Sequence, residues 1–112
     1  MSGYYDEKDL DDWGKLKALA PEQMQKFNEY HRAALIDGKL SKKQKTLIAL
    51  ATAHALRCPY CIDTYTDECL EQGITKEEMM EAVHAVAMVS AGATLTHSLL
   101  MKKFIKKKEI KG

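Results

Sequence analysis

The chain has 112 residues, 46% apolar and 29% charged, with a formal net charge of +1. That length suits one domain with a modest core, and the near-neutral balance argues against nucleic acid or any strongly charged partner. Two prolines, six glycines and almost no β-branched runs argue against a β fold.

The stretch Met1–Asp12 is acidic and aromatic, with neither a basic start nor an apolar stretch, so it is not expected to be a signal peptide. Apolar residues recur at helical spacing almost throughout, which predicts an all-α domain of five to six helices spanning 1–112. The first helix is expected within Leu10–Ala20, broken by Pro21. A second starts near Pro21, a favourable first-turn position. Its stripe is Met24, Phe27, Tyr30 or His31, Ala34 and Leu35, and Asp37-Gly38 ends it.

Ser41-Lys42-Lys43-Gln44 has the form of a capping box. The helix it opens is expected to reach about Arg57. Leu47, Ile48, Leu50, Ala51, Ala53, Ala55 and Leu56 make it broadly apolar, which suggests burial on several sides. Pro59 lacks an N–H and disfavours helix at Cys58, so a break or kink falls there. A new helix runs from Pro59 to about Gln72, with Gly73 as its C-terminal cap. Thr75-Lys76-Glu77-Glu78 is a second capping box, and its helix carries Met79, Ala82, Val83, Val86 and Val89 at core spacing. The small residues Ser90-Ala91-Gly92-Ala93 suggest a tight turn or a close helix crossing. A last helix over Thr94–Lys107 is expected to turn Leu95, Leu99, Met101 and Phe104 inward. Its lysines, Lys102, Lys103 and Lys106–Lys108, read as a solvated helix end. No window of about 18 apolar residues is apparent, so no membrane span is expected. A core spread over short helices favours a homo-oligomer.

Cys58-Pro59-Tyr60-Cys61 carries the chemistry. A disulfide closing so short a loop removes little entropy from the unfolded chain, so the pair reads as redox or metal-binding more than as a staple. With His54 it offers three ligands, one short of the four that structural zinc takes, and no metal or cofactor is assigned. Three cysteines without a secretion signal point to the cytoplasm. Cys58 stands near a helix N-terminus, where free N–H groups favour a thiolate. Cys61, Tyr65 and Cys69 fall near one face, and a mild kink would align His54 with them. A dithiol that reduces peroxides needs an attacking thiolate, a resolving thiol and a base. Cys58 and Cys61 supply the thiols, and His54 is the candidate base. Cys69, His84 and His97 read as core or interface residues, and His31 has no evident partner.

Ile48-Ala49-Leu50-Ala51, then His54 through Asp63, then Gly73-Ile74-Thr75-Lys76-Glu77-Glu78 and Glu81-Ala82 resemble the core of the carboxymuconolactone decarboxylase / alkylhydroperoxidase D family. The resemblance covers roughly Leu40–Phe104 and leaves 1–39 as N-terminal helices. It implies an all-α helical bundle, trimers or hexamers, and a peroxidase branch in which the second cysteine, here Cys61, attacks the peroxide while Cys58 resolves. A thiol donor, thioredoxin-like or lipoyl-type, would restore the dithiol. The family's peroxidase pattern has a Glu twelve residues before the first cysteine and a His four after the second. Those positions hold Thr46 and Tyr65. Thr46 cannot pass a charge, and Tyr65, with a pKa of about 10, is a poor base at neutral pH. The site expected is therefore Cys61, Cys58, His54 and Tyr65. Protein-disulfide reduction, a binding protein with a vestigial dithiol, and a lyase acting on a lactone acid are the alternatives. The lyase would need a pocket cation, and Arg32 and Arg57 are the only arginines.

Overall fold

Six helical segments follow one another without a strand among the described residues, which are 4–111 of a computed structural model. Of the acidic N-terminal stretch, residues 1–3 lie outside that range. A 3-10 helix over Glu7–Asp12 leads into α1, Trp13–Lys17. The chain therefore turns helical before the expected Leu10, because Asp6 caps it. The Asp6 carboxylate accepts the Lys8 N–H at 3.0 Å, and Asp9 returns the favour to the Asp6 N–H at 3.1 Å.

The second helix, α2, spans Pro21–Leu35 with Pro21 in its first turn, as the sequence predicts. It stops short of Asp37-Gly38. Ile36 is already extended, and the Asp37 carboxylate serves the next helix by accepting the Lys42 N–H at 2.6 Å. The third, α3, covers Lys42–Ala55. Its capping box is complete: Gln44 N–H donates to Ser41 Oγ at 3.1 Å, and Ser41 N–H donates to Gln44 Oε1 at 2.8 Å.

Packed between α2, α4 (Pro59–Glu71) and α5 (Lys76–Lys111), α3 is the centre of the fold. Leu50, Cys69 and Ile74 form the core cluster, flanked by Leu47, Tyr65 and Met79. Thr46, Ala51 and Ala53 are also buried. Burial on several sides of α3 is not what the chain adopts. Ile48, Ala55 and Leu56 are exposed, since neighbours cover only part of the helix.

Both α3 and α4 end in the same motif. After α3, the Arg57 N–H bonds the His54 carbonyl and the Cys58 N–H bonds the Ala53 carbonyl. After α4, the Gly73 N–H bonds the Leu70 carbonyl and the Ile74 N–H bonds the Cys69 carbonyl. These are Schellman caps, which need a left-handed residue. Gly73 meets that need with φ 72°, and Arg57 meets it with φ 56°. Ile74 then packs on Cys69, the apolar contact that accompanies such a cap.

The expected turn at Ser90–Ala93 does not form, and α5 runs unbroken for 36 residues. Nothing from elsewhere in the chain approaches Gly92, so there is no crossing in this chain either. Hydroxyls in this stretch bond backward along the helix, Thr94 to the Ser90 carbonyl at 2.9 Å and Thr96 to the Ala93 carbonyl at 3.2 Å, which relieves their competition with helix. Continuity also corrects the membrane expectation. Lys76–Ile110 is long and apolar enough, by length and composition alone, to cross a membrane. Its first turns are nevertheless tied to α3 through Met79 and through Lys43 Nζ on Glu78 Oε2 at 2.5 Å.

Leu95, Leu99, Met101 and Phe104 are all exposed rather than inward. At about 1.5 Å per residue α5 is roughly 54 Å long, and it outruns the rest of the fold. The radius of gyration is accordingly 19.6 Å, against about 13 Å for a compact chain of this length.

Candidate functional site

Cys58 belongs to two helix ends at once. Its N–H completes the cap of α3, bonding the Ala53 carbonyl at 3.0 Å, and its carbonyl accepts the Ile62 N–H of α4 at 2.9 Å. Its sulfur is the N-cap acceptor of α4, taking the Cys61 N–H at 3.3 Å. The Cys58 and Cys61 sulfurs stand within disulfide-bonding reach, with Cα atoms 5.3 Å apart, inside the usual range. Pro59 in the first turn makes this geometry local, because it fixes φ where a helix begins and needs no N–H there.

The break before Pro59 is not mild. The left-handed Arg57 ends the helical register between His54 and Cys61. His54 is half-buried, and its Nδ1–H donates to the Leu50 carbonyl at 2.8 Å. Nε2 is left as the unprotonated nitrogen of the neutral ring.

Cys61 and Tyr65 line a cavity of about 600 Å³ beside α4, a size suited to small ligands. Leu10, Trp13 and Leu16 form one wall, and Phe27 and His31 of α2 form another. Cys58 and His54 are not part of its lining. Two tyrosines tie the N-terminal segment to α4, and one of these ties, Tyr60 to Asp9, lies in the cavity wall. Tyr60 Oη donates to Asp9 Oδ2 at 2.9 Å, and Tyr5 Oη donates to Asp63 Oδ2 at 3.1 Å. Their rings meet edge to face at 4.8 Å, a favoured geometry. The hydrogen bond to Asp9, with some burial, raises the Tyr60 pKa. Burial first, then Asp63, raises that of Tyr5.

His31, which the sequence left without a partner, has one here. Its Nε2 lies 3.1 Å from Tyr65 Oη, and the two rings stack at 6.3 Å and 18°. Burial, reinforced by the charge of Glu68, pushes the Tyr65 pKa up. Its hydroxyl therefore stays protonated at neutral pH, able to donate one hydrogen bond and accept another. The signal for this contact was a tyrosine at the motif's histidine position together with an unassigned histidine on another helix.

Thr46, at the motif's glutamate position, is fully buried and fully bonded. Its hydroxyl donates to the Lys42 carbonyl at 2.8 Å and accepts from Gln72 Nε2 at 2.9 Å. A neutral clasp between α3 and the end of α4 occupies the place of a charge. Cys69 is a core residue as expected, 0% exposed, and burial followed by the charge of Glu68 raises its pKa. His84 and His97 are exposed on α5 rather than buried in the core. Among the described residues no group of three or more His, Cys, Asp or Glu side chains is arranged to hold a metal ion.

Fold and site together define a small all-α protein whose helix-capping dithiol borders a cavity. The chain belongs to the carboxymuconolactone decarboxylase family, which its residues 21–101 match. It is 39% identical over 72 residues to "uncharacterized protein 4 in cox locus" of Paracoccus denitrificans, a match covering 64% of this chain and 65% of that one, just under two thirds of the relative's length. A crystal structure of a Methanobacterium thermoautotrophicum protein superposes with a TM-score of 0.73 and 31% identity, over 77% of this chain and 97% of that one. The ligand-free structure of a carboxymuconolactone decarboxylase family protein from Legionella pneumophila gives 0.70 and 33%, over 82% and 83%.

Proposed function

We propose that the protein is a dithiol oxidoreductase that reduces alkyl or hydrogen peroxides through Cys58 and Cys61. The observation that carries this reading is that Cys61 borders the cavity while its sulfur lies within bonding reach of Cys58. The Cys61 thiolate attacks the peroxide, forming an S–O bond as the O–O bond breaks, and the alkoxide leaves with a proton as the alcohol. The Cys58 thiol then displaces water from the sulfenic acid, and the disulfide forms. A dithiol donor, thioredoxin-like or lipoyl-type, returns two electrons and two protons.

Two views of the nucleophile are reconciled by this division of labour. Cys58 has the more anion-friendly place, at the α4 N-terminus, and so keeps a reactive resolving thiol. Cys61 has access to the cavity. His54, four residues before Cys58 in the sequence, remains the candidate base for that side of the pair. A lyase reading would have to take Lys17 as its pocket cation, because neither Arg32 nor Arg57 lines this cavity.

The cycle suits a reducing compartment such as the cytoplasm. Residues 1–112 are taken to work as one domain, whose family-matching part, 21–101, begins at α2 rather than at the expected 40. The bare apolar edge of α5 supports assembly into a homo-oligomer, trimer or hexamer. The deciding experiment is thiol-dependent peroxide consumption by Cys61→Ser and Cys58→Ser. Each is expected to lose at least about 10³-fold in turnover. Unchanged consumption in either variant ends this reading.

A further inference from the structure

Tyr65 leaves α4 without the titratable side chain that would exchange a proton with Cys61 near neutral pH. The fold brings one from α2. His31 Nε2 and Tyr65 Oη are 3.1 Å apart. Cys61 and Tyr65, four residues apart on α4, are neighbours on one helix face. Cys61, Tyr65 and His31 all line the same cavity.

We propose that Tyr65 and His31 form a two-member proton relay for Cys61, in which His31 holds the proton and Tyr65 only conducts it. The proposal rests on the thiol chemistry assigned to Cys61 above. As the thiol ionises, its proton passes to Tyr65 Oη while the Tyr65 proton passes to His31 Nε2. Cys61 becomes a thiolate, His31 an imidazolium, and Tyr65 is unchanged. When the thiolate attacks a peroxide, the movement reverses. The imidazolium returns its proton through Tyr65 to the departing alkoxide, leaving sulfenic acid, alcohol and neutral imidazole. Protons and electrons balance, and no tyrosinate forms at any stage. The poor basicity of tyrosine is thus no obstacle. A hydroxyl that stays protonated is what a conductor requires, and the burial that raises the Tyr65 pKa helps to keep it so.

His31 is a positioning residue in this scheme, acting through Tyr65, and an imidazole is the kind of side chain that takes up and releases a proton near neutral pH. The other charged or titratable groups around the pair are Asp9 and Lys17 on the N-terminal wall and Tyr60 and Glu68 on α4. Asp9 is engaged by Tyr60, and Lys17 lies over the Trp13 ring, 5.9 Å from its centroid. On its core side Tyr65 meets the apolar cluster of Leu50, Cys69 and Ile74.

The test separates the relay from the peroxidase reading. In a Cys58→Ser background Cys61 is the accessible thiol, since Cys69 is buried. Its alkylation by iodoacetamide is followed against pH, with and without His31→Gln, which cannot titrate. The relay predicts that His31→Gln slows alkylation at pH 7 by about tenfold, equivalent to a one-unit rise in the thiol's apparent pKa. Tyr65→Phe, which keeps the ring and its packing, is expected to do the same, and the double variant to be no slower than either single one. Superimposable alkylation profiles with and without His31 overturn the relay, whether or not the protein consumes peroxide. A shifted profile in a protein that consumes no peroxide upholds the relay and rejects the peroxidase reading. In a protein that does turn over, His31→Gln should also lower kcat/KM by about 10²-fold or more and remove its acidic limb, and Tyr65→His should restore much of the rate by placing an imidazole on α4.

Discussion

The start of α4 and the far half of α5 are opposite solutions to ending a helix. At the start of α4 the backbone N–H groups of Cys58, Cys61 and Ile62 all have protein partners within a few residues. From Met88 onward every described side chain of α5 is exposed except Gly92, Met88, Val89, Leu95 and Leu99 among them. The first region is defined by local hydrogen bonds and is complete within one chain. The second is defined by an apolar surface that one chain leaves bare. Chemistry is proposed where the geometry is closed, and association where it is open.

The largest expected effect that sharpens this contrast is on stability. Leu50 is 2% exposed and Leu99 is 62% exposed. Leu50→Ala is expected to cost about 2–5 kcal/mol in chemical denaturation, through lost transfer energy and a cavity. Leu99→Ala should stay within about 0.5 kcal/mol for the isolated chain while weakening any self-association seen by sedimentation. Equal costs for the two variants in an isolated chain would break the comparison.

A smaller effect is expected at Arg57. Its left-handed φ of 56° costs a non-glycine residue about 1 kcal/mol. Arg57→Gly should raise the thermal midpoint by a few degrees, net of the greater freedom glycine adds to the unfolded chain. A lowered midpoint would show that the arginine side chain itself holds the turn.

The smallest lies at the other end of the contrast, where α5 meets α3. The hydrogen bond from Lys43, then the Thr75 N–H, depress the Glu78 pKa below its ordinary 4.5. A carboxylate with a depressed folded pKa contributes its stability above the unfolded value and loses it as pH falls through the folded value. Glu78→Gln should therefore lower the midpoint slightly at neutral pH and converge with the parent once the pH has fallen below the depressed folded pKa. A constant gap down to pH 3 would contradict this assignment.

What the sequence made legible follows the same division. Ser41 with Gln44, Thr75 with Glu78, Pro59 and Gly73 are local signals, and each sits where its chemistry requires. The dithiol was legible for the same reason. Three features were not. Ser90–Ala93 reads as a break because it is a run of small residues, yet alanine is the best helix former and one glycine costs only about 1 kcal/mol. His31 and Tyr65 are 34 positions apart, and no local pattern announces which histidine on a neighbouring helix will dock against a given tyrosine. His54, close to the cysteines in sequence, is separated from the cavity by the left-handed turn at Arg57, which a non-glycine residue does not advertise.

The double employment of Cys58 has a consequence for wear. The bonds that fix the two helix ends around it run through its N–H and its carbonyl, not through the bridge between the sulfurs. Opening the four-residue ring is thus a torsional event at two side chains, and the junction amide whose acceptor lies in the ring is that of Cys61, which donates to Cys58 Sγ. Amide hydrogen exchange at Arg57, Cys58 and Ile62 should be nearly the same in the oxidised and reduced protein. If the proposed cycle operates, a ring mounted this way is expected to open and close without unfolding the two helix ends, and so without exposing the small core to aggregation.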